Sequence, residues 1–150
     1  LTSKLKELNI TLPKAPSPVG GYVAYKIINN LLYISGQLPI SNDGKILIGK
    51  IGKDLKLEDG QKASKLCALN ILAQVNKAVD GDLNKVKNCI KITGFVNSTD
   101  DFKDQPKVIN PASELITALF GDSGKHTRAA VSTNSLPLGA AVEIDAIFEI

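Results

Sequence analysis

Near the C-terminal end of the chain, Arg128 and Glu143 stand fifteen residues apart on two apolar, alternating segments, 127–134 and 140–150. A guanidinium offers anion binding and a carboxylate offers proton transfer, so the two side chains could do chemistry together. An isolated charge is costly to bury, so each must pair with the other, pair with something else, or hold a ligand. From spacing alone a structural salt bridge tying two strands is the weightier reading, because ion-pair networks also occur on inner strands. The segments are joined by Ser135-Leu136-Pro137-Leu138-Gly139. In a hairpin, a tight turn at Ser135-Leu136 would set Arg128 opposite Glu143, and a turn one residue later would put them on opposite faces. The sequence leaves both registers open.

The other chemistry-bearing residues offer less. His126 is the only histidine. A metal-binding or general-base role would need a second ligand or an orienting partner, which no spacing supplies, so it reads as a strand-end histidine. Cys67 falls in a helical pattern and Cys89 at the start of a strand pattern, and both read as reduced core residues. The net charge of +3 arises from 18 basic and 15 acidic residues scattered along the chain. Without a clustered basic stripe, nucleic acid is not the natural partner. Lys45, Lys50, Lys53 and Lys56 read as a solvated face.

These residues must be positioned by one domain, 1–150, whose 43% hydrophobic content suits a real core. No stretch reaches the length of a membrane span and no export segment opens the chain, so a soluble cytoplasmic protein is expected. Residues 1–8 read as a short amphipathic helix, and the proline-rich stretch 11–18 as an extended surface segment. A hairpin follows, with strands 22–28 and 31–35 turning at Asn29-Asn30. A third, short strand is expected at 46–48. From Leu57 the apolar positions take helical spacing until Asp80-Gly81, a core helix of about twenty residues. Residues 86–96 alternate as a strand, 97–106 read as polar turn material, and 110–120 read as a second helix, with Asn110 as its cap and Pro111 in its first turn. Two final strands close the chain. The order predicts an α+β domain, a mixed sheet of about six strands with two helices on one face. Several strands look apolar on both faces, so the uncovered face predicts a homo-oligomer.

Five blocks, in order, resemble the RidA (YjgF-like) family of small proteins, and its longer subgroup in particular. They are Ala15-Pro16-Ser17-Pro18-Val19-Gly20-Gly21-Tyr22, Tyr33-Ile34-Ser35-Gly36-Gln37-Leu38-Pro39, and Ala68-Leu69-Asn70-Ile71-Leu72. Asp101-Phe102 with Val108-Ile109-Asn110 forms the fourth, and Arg128 through Leu136-Pro137 to Val142-Glu143-Ile144 the fifth. The resemblance implies a chorismate-mutase-like α+β fold and a homotrimer with ligand clefts between subunits. It implies cofactor-independent, metal-free deamination of reactive 2-imino or 2-enamino acids such as 2-aminoacrylate or 2-iminopropionate, giving 2-keto acids and ammonia. The family's carboxylate-binding arginine falls on Arg128 and its water-positioning glutamate on Glu143. Its substrate-lining positions fall on Tyr22, Ser35, Gly36 and Asn110. Two departures are visible. Ala130 stands where many members have a cysteine, and His126-Thr127 precede Arg128 where many have a proline two residues before the arginine.

A 2-imino acid presents a planar carboxylate for Arg128 to grip and an electrophilic C=N carbon beside it. Glu143 could then deprotonate the attacking water and return the proton to the departing ammonia. Two readings from other classes compete. One is a non-catalytic carboxylic acid-binding or chaperone-like trimer, which would use Arg128 but has no need of a water base. The other is an endoribonuclease, a label some members of the family carry, against which the lone histidine and dispersed charge both argue.

Overall fold

The computed structural model describes all 150 residues. A short helix α1 (Thr2–Glu7) precedes the hairpin β1 (Tyr25–Ile28) and β2 (Leu31–Gln37). The long helix α2 (Leu57–Ala78) leads to β3 (Asn88–Asn97), α3 (Gln105–Phe120), β4 (Thr127–Thr133) and β5 (Val142–Glu149). The sheet has five strands in the order β1-β2-β5-β3-β4, with β3 and β4 parallel and every other pair antiparallel.

Both long helices lie on one face. Toward them point Leu32 and Ile34 of β2, Ile92 and Val96 of β3, and Val142, Ile144, Ala146 and Phe148 of β5, all buried. They meet Ala63, Cys67, Ala68, Ile71, Leu72 and Val75 of α2 and Val108, Ile109, Ala112, Ile116 and Leu119 of α3 in one core. Gly94 lets α3 approach β3 closely, because a Cβ there would lie 2.5 Å from Ile109 Cδ1. The opposite face is uncovered and carries exposed Ile28, Tyr33 and Val131.

Three expectations need correction. The sheet has five strands, not six: residues 46–48 form only the isolated bridges Ile40–Ile46 and Ile48–Ala140. Gly44, Gly49 and Gly52, with φ of 81°, 139° and 94°, turn the chain too often there for a ladder to grow. The last two strands do not form a hairpin either. The β3-α3-β4 crossover sets β4 parallel to β3 at the sheet edge, and β5 enters between β2 and β3. Its Val142, Ile144, Ala146 and Phe148 are fully or almost fully buried, whereas β4, with Thr127, Ser132 and Thr133, tolerates an edge. Lastly, α3 begins at Gln105, so Pro106 occupies its first turn, Pro111 lies inside it, and Asn110 is not a cap. A proline within a helix leaves the carbonyl four residues earlier without its partner. Here that carbonyl is Lys107 O, and Gln61 Nε2 of α2 donates to it at 3.0 Å.

Candidate functional site

Two clusters hold the sequence-predicted residues, on opposite faces of the sheet. On the uncovered face, Glu143 sits opposite Phe95 of β3. On its other side, the pairing of β2 with β5 slips by one residue between Ile34–Ala146 and Gln37–Ile144, so Ser35 and Gly36 together face Asp145. That bulge brings the backbone of Gly36 beneath the Glu143 carboxylate. A Cβ at Gly36 would collide with Glu143 Oε2, so a larger residue there would push the carboxylate out of this position. Ser35 Oγ donates to Val23 O at 2.7 Å, and Ser35 N to Ala24 O at 2.9 Å, tying the segment behind Tyr22 to the bulge. Tyr22, half exposed, lines a shallow cavity with Gly36, Gln37, Pro16 and Pro18.

Buried amides of α2 fix this arrangement. Asn70 Nδ2 donates to Leu38 O and Ile40 O, both at 3.0 Å, and Gln74 Nε2 to Pro16 O at 2.7 Å. Gln74 Nε2 also donates to Gln37 Oε1 at 3.4 Å, and Gln37 Nε2 to Ser35 O at 3.0 Å. Truncating Asn70 would remove the side-chain donor to Ile40 O, and truncating Gln74 the donor to Pro16 O, at the loops that frame Gly36 and Tyr22.

Glu143 is half-buried, and burial raises its carboxyl above the usual carboxylate range, with the charge of Asp145 adding to the effect. Burial raises Asp145 as well, against the opposing pull of a Thr93 hydrogen bond and of Lys91. Two acidic residues at i and i+2 of one strand share a face, so the pair was legible in the alternation, and Asp145 was nonetheless missed. Cys67 and Cys89 are buried and free; burial holds both thiols up, Cys89 to about 12, so neither is poised as a nucleophile.

Arg128 is in register with Ile92, which in turn pairs with Ala146, and so projects toward the helices. Its Nη1 donates to Ser113 Oγ at 3.1 Å and its Nη2 to Pro106 O at 3.3 Å. Residues 106, 110 and 113 share one face of α3, so Asn110 stands along the same side as these two partners. A guanidinium has five N–H donors, of which two are engaged. Three remain for a carboxylate. Ser113 also bonds His126 Nε2 at 2.8 Å, and His126 Nδ1 bonds Gly124 O at 2.6 Å. His126 is a strand-end residue as expected, yet it has the orienting partners that the sequence did not show.

The ion pairs of the chain are Lys4–Glu7, Lys45–Asp43, Lys107–Asp104 and Lys125–Asp122. Arg128 and Glu143 do not pair, which rules out the salt-bridge reading within one chain. Lys45, Lys53 and Lys56 are exposed, whereas Lys50 is partly buried and held: its Nζ donates to Asn97 Oδ1 at 2.8 Å and Asn134 O at 2.5 Å, clamping the end of β4. No group of three or more His, Cys, Asp or Glu side chains is placed to hold a metal ion.

Comparison with known proteins adds the family. The family model described as "YjgF/chorismate_mutase-like, putative endoribonuclease" matches residues 2–149. The chain belongs to the YjgF/RidA family. Among relatives in this family, protein TCP17 of Trypanosoma cruzi is 42% identical over 100% of this chain and 94% of its own length. The human protein named 2-iminobutanoate/2-iminopropanoate deaminase is 27% identical over 92% of this chain and 86% of its own. A crystal structure of Atu1372 from Agrobacterium tumefaciens, described as of unknown function, is 50% identical with a TM-score of 0.90, covering 99% of this chain and 92% of that one. The YjgF/RidA fold therefore accounts for the whole sheet and both long helices.

Proposed function

We propose that the chain is a cofactor-independent 2-imino acid deaminase, hydrolysing small imines of the 2-iminopropionate or 2-aminoacrylate type to 2-keto acids and ammonia. The observation that carries this reading is Glu143, a half-buried carboxylate with a raised pKa laid against the Gly36 backbone on an uncovered sheet face. A base with a pKa nearer neutrality accepts a proton more readily from water. The anionic substrate needs a cation, and Arg128 keeps three N–H donors for its carboxylate. Such a grip fixes the C=N carbon for attack. Glu143 takes a proton from the water as its oxygen bonds to the C=N carbon of the N-protonated imine, and the C=N electron pair moves to nitrogen, leaving a neutral aminoalcohol. Glu143 returns that proton to the aminoalcohol nitrogen, and the C–N bond breaks as the hydroxyl oxygen closes the C=O bond and its remaining proton passes to Glu143, releasing ammonia and the 2-keto acid. Tyr22, Ser35 and Gly36 line the Glu143 side of the cleft and Asn110 the Arg128 side.

The sheet separates the two charged groups in one chain, so the reaction centre in this reading is completed between copies. The Arg128 edge of one copy meets the Glu143 face of the next. Two different patches in contact make a head-to-tail interface, which closes into a ring. Three copies is the ring size the family resemblance implies, and exposed Tyr33 and Val131 supply apolar surface for it. A pure carboxylate sensor would use Arg128 in the same way, but nothing in its task needs a desolvated carboxylate at position 143.

The test is release of ammonia and 2-keto acid from 2-iminopropionate generated in place by an amino-acid oxidase. Wild type is expected to exceed the spontaneous rate, and Arg128→Ala and Glu143→Gln to fall back to it. No acceleration by wild type with any of several small imines would end the proposal.

A further inference from the structure

The hydrogen bonds around Arg128 have a direction that their chemistry fixes. Gly124 O is a carbonyl and can only accept, so the 2.6 Å contact with His126 Nδ1 places the proton on Nδ1. In the neutral ring, Nε2 is then an acceptor, and its 2.8 Å partner Ser113 Oγ must donate to it. With its own proton committed, Ser113 Oγ turns lone pairs to the Arg128 Nη1–H at 3.1 Å. The chain of bonds runs one way, from Arg128 through Ser113 and His126 to Gly124, across β4, α3 and the turn before β4.

We propose that Ser113 and His126 are positioning residues that hold the Arg128 guanidinium through this one-way relay. The proposal rests on the deaminase reading for its consequence in catalysis. A flexible arginine on an edge strand would have to lose rotamer freedom when it meets a carboxylate. Here the Ser113 lone pairs and Pro106 O fix two of its N–H groups beforehand. The remaining donors are held for a planar anion, and neither Ser113 nor His126 needs to touch it. Because the guanidinium grips the carboxylate equally in the bound substrate and in the transition state, loosening it weakens binding more than turnover.

Two measurements test this, and they fail separately. The chain has a single histidine, so long-range 1H–15N spectra of the full-length protein report His126 alone. The neutral ring is expected to be protonated at Nδ1 and bare at Nε2, with the Nε2 signal moving in Ser113→Ala. A ring protonated at Nε2, or one indifferent to Ser113→Ala, overturns the relay whether or not the protein is a deaminase. In the kinetic arm, Ser113→Ala and His126→Leu are expected to raise KM, and the Kd for 2-oxobutanoate, roughly three- to tenfold with kcat within about twofold. His126→Gln, whose amide oxygen can accept from Ser113, recovers most of the loss. Unchanged KM in Ser113→Ala, or equal defects in His126→Gln and His126→Leu, refutes the positioning role. A wild type that neither turns over imines nor binds 2-oxobutanoate would sink the deaminase reading and leave the spectra to decide the relay.

Discussion

Mixing two inactive variants is predicted to restore activity, and by a fraction that the sheet geometry sets. Arg128 shares the helix-side face with Ile92 and Ala146, while Glu143 shares the uncovered face with Phe95. If each centre draws Arg128 from one copy and Glu143 from its neighbour, a ring of mixed Arg128→Ala and Glu143→Gln copies contains intact centres. Such a centre needs its arginine from a Glu143→Gln copy and its glutamate from an Arg128→Ala copy. At equal, random mixing each condition is met half the time, so about one quarter of wild-type activity returns, whatever the ring size. A doubly substituted chain mixed with wild type gives the complementary reading. About one quarter of the centres survive if they are shared, and about one half if each chain carries its own. The assay is ammonia release from 2-iminopropionate by the whole, unfractionated ring population after balanced co-expression of the two chains. Recovery no greater than that of the single variants, in rings confirmed as mixed by native mass spectrometry, would refute the shared centre.

Other consequences follow from the same residues. Gly36→Ala pushes a methyl into the Glu143 carboxylate and is expected to cut kcat/KM by about 100-fold, the scale of a misplacement near 1 Å, while circular dichroism shows the fold retained. Because Glu143 must be ionised to act as a base and its pKa is raised by burial and then by Asp145, the rate is expected to fall on acidification through a pKa above the ordinary carboxylate range. Asp145→Asn removes the like charge and moves that limb of the pH-rate profile to lower pH. Stability runs the opposite way from a salt-bridged carboxylate. A raised folded-state pKa means that the ionised form penalises folding above that pKa, and that the penalty fades as pH falls through it toward the unfolded value. Glu143→Gln is therefore expected to melt at a higher temperature than wild type at neutral pH, with the gap closing on acidification.

The local features were the legible ones. Asn29, at φ 55°, makes the turn that its side chain predicts, and the apolar periodicity from Leu57 gives α2. Arg128, Glu143 and Gly36 stand out in the sequence as charges and a glycine where strands are otherwise apolar or bulky. Strand order was not legible, because alternation tells which face a residue takes and nothing about which strand lies beside it. The insertion of β5 between β2 and β3 is a long-range outcome, and it decides that Arg128 and Glu143 part company. Pro111 misled for a related reason. Its place in the middle of α3 is tolerated because Gln61, on another helix, meets the orphaned Lys107 carbonyl. Once α3 is extended back to Gln105, the common face of 106, 110 and 113 follows from helical spacing, and Ser113 could have been found.

The most direct measurement separates binding from turnover at Glu143. With Glu143→Gln, titration of 2-oxobutanoate by calorimetry is expected to give a Kd within about twofold of wild type, because Arg128 still holds the carboxylate, while imine turnover falls at least about 100-fold. Turnover undiminished in Glu143→Gln would contradict the account, since the carboxylate that distinguishes an enzyme from a carboxylate-binding module would then have no part in the chemistry.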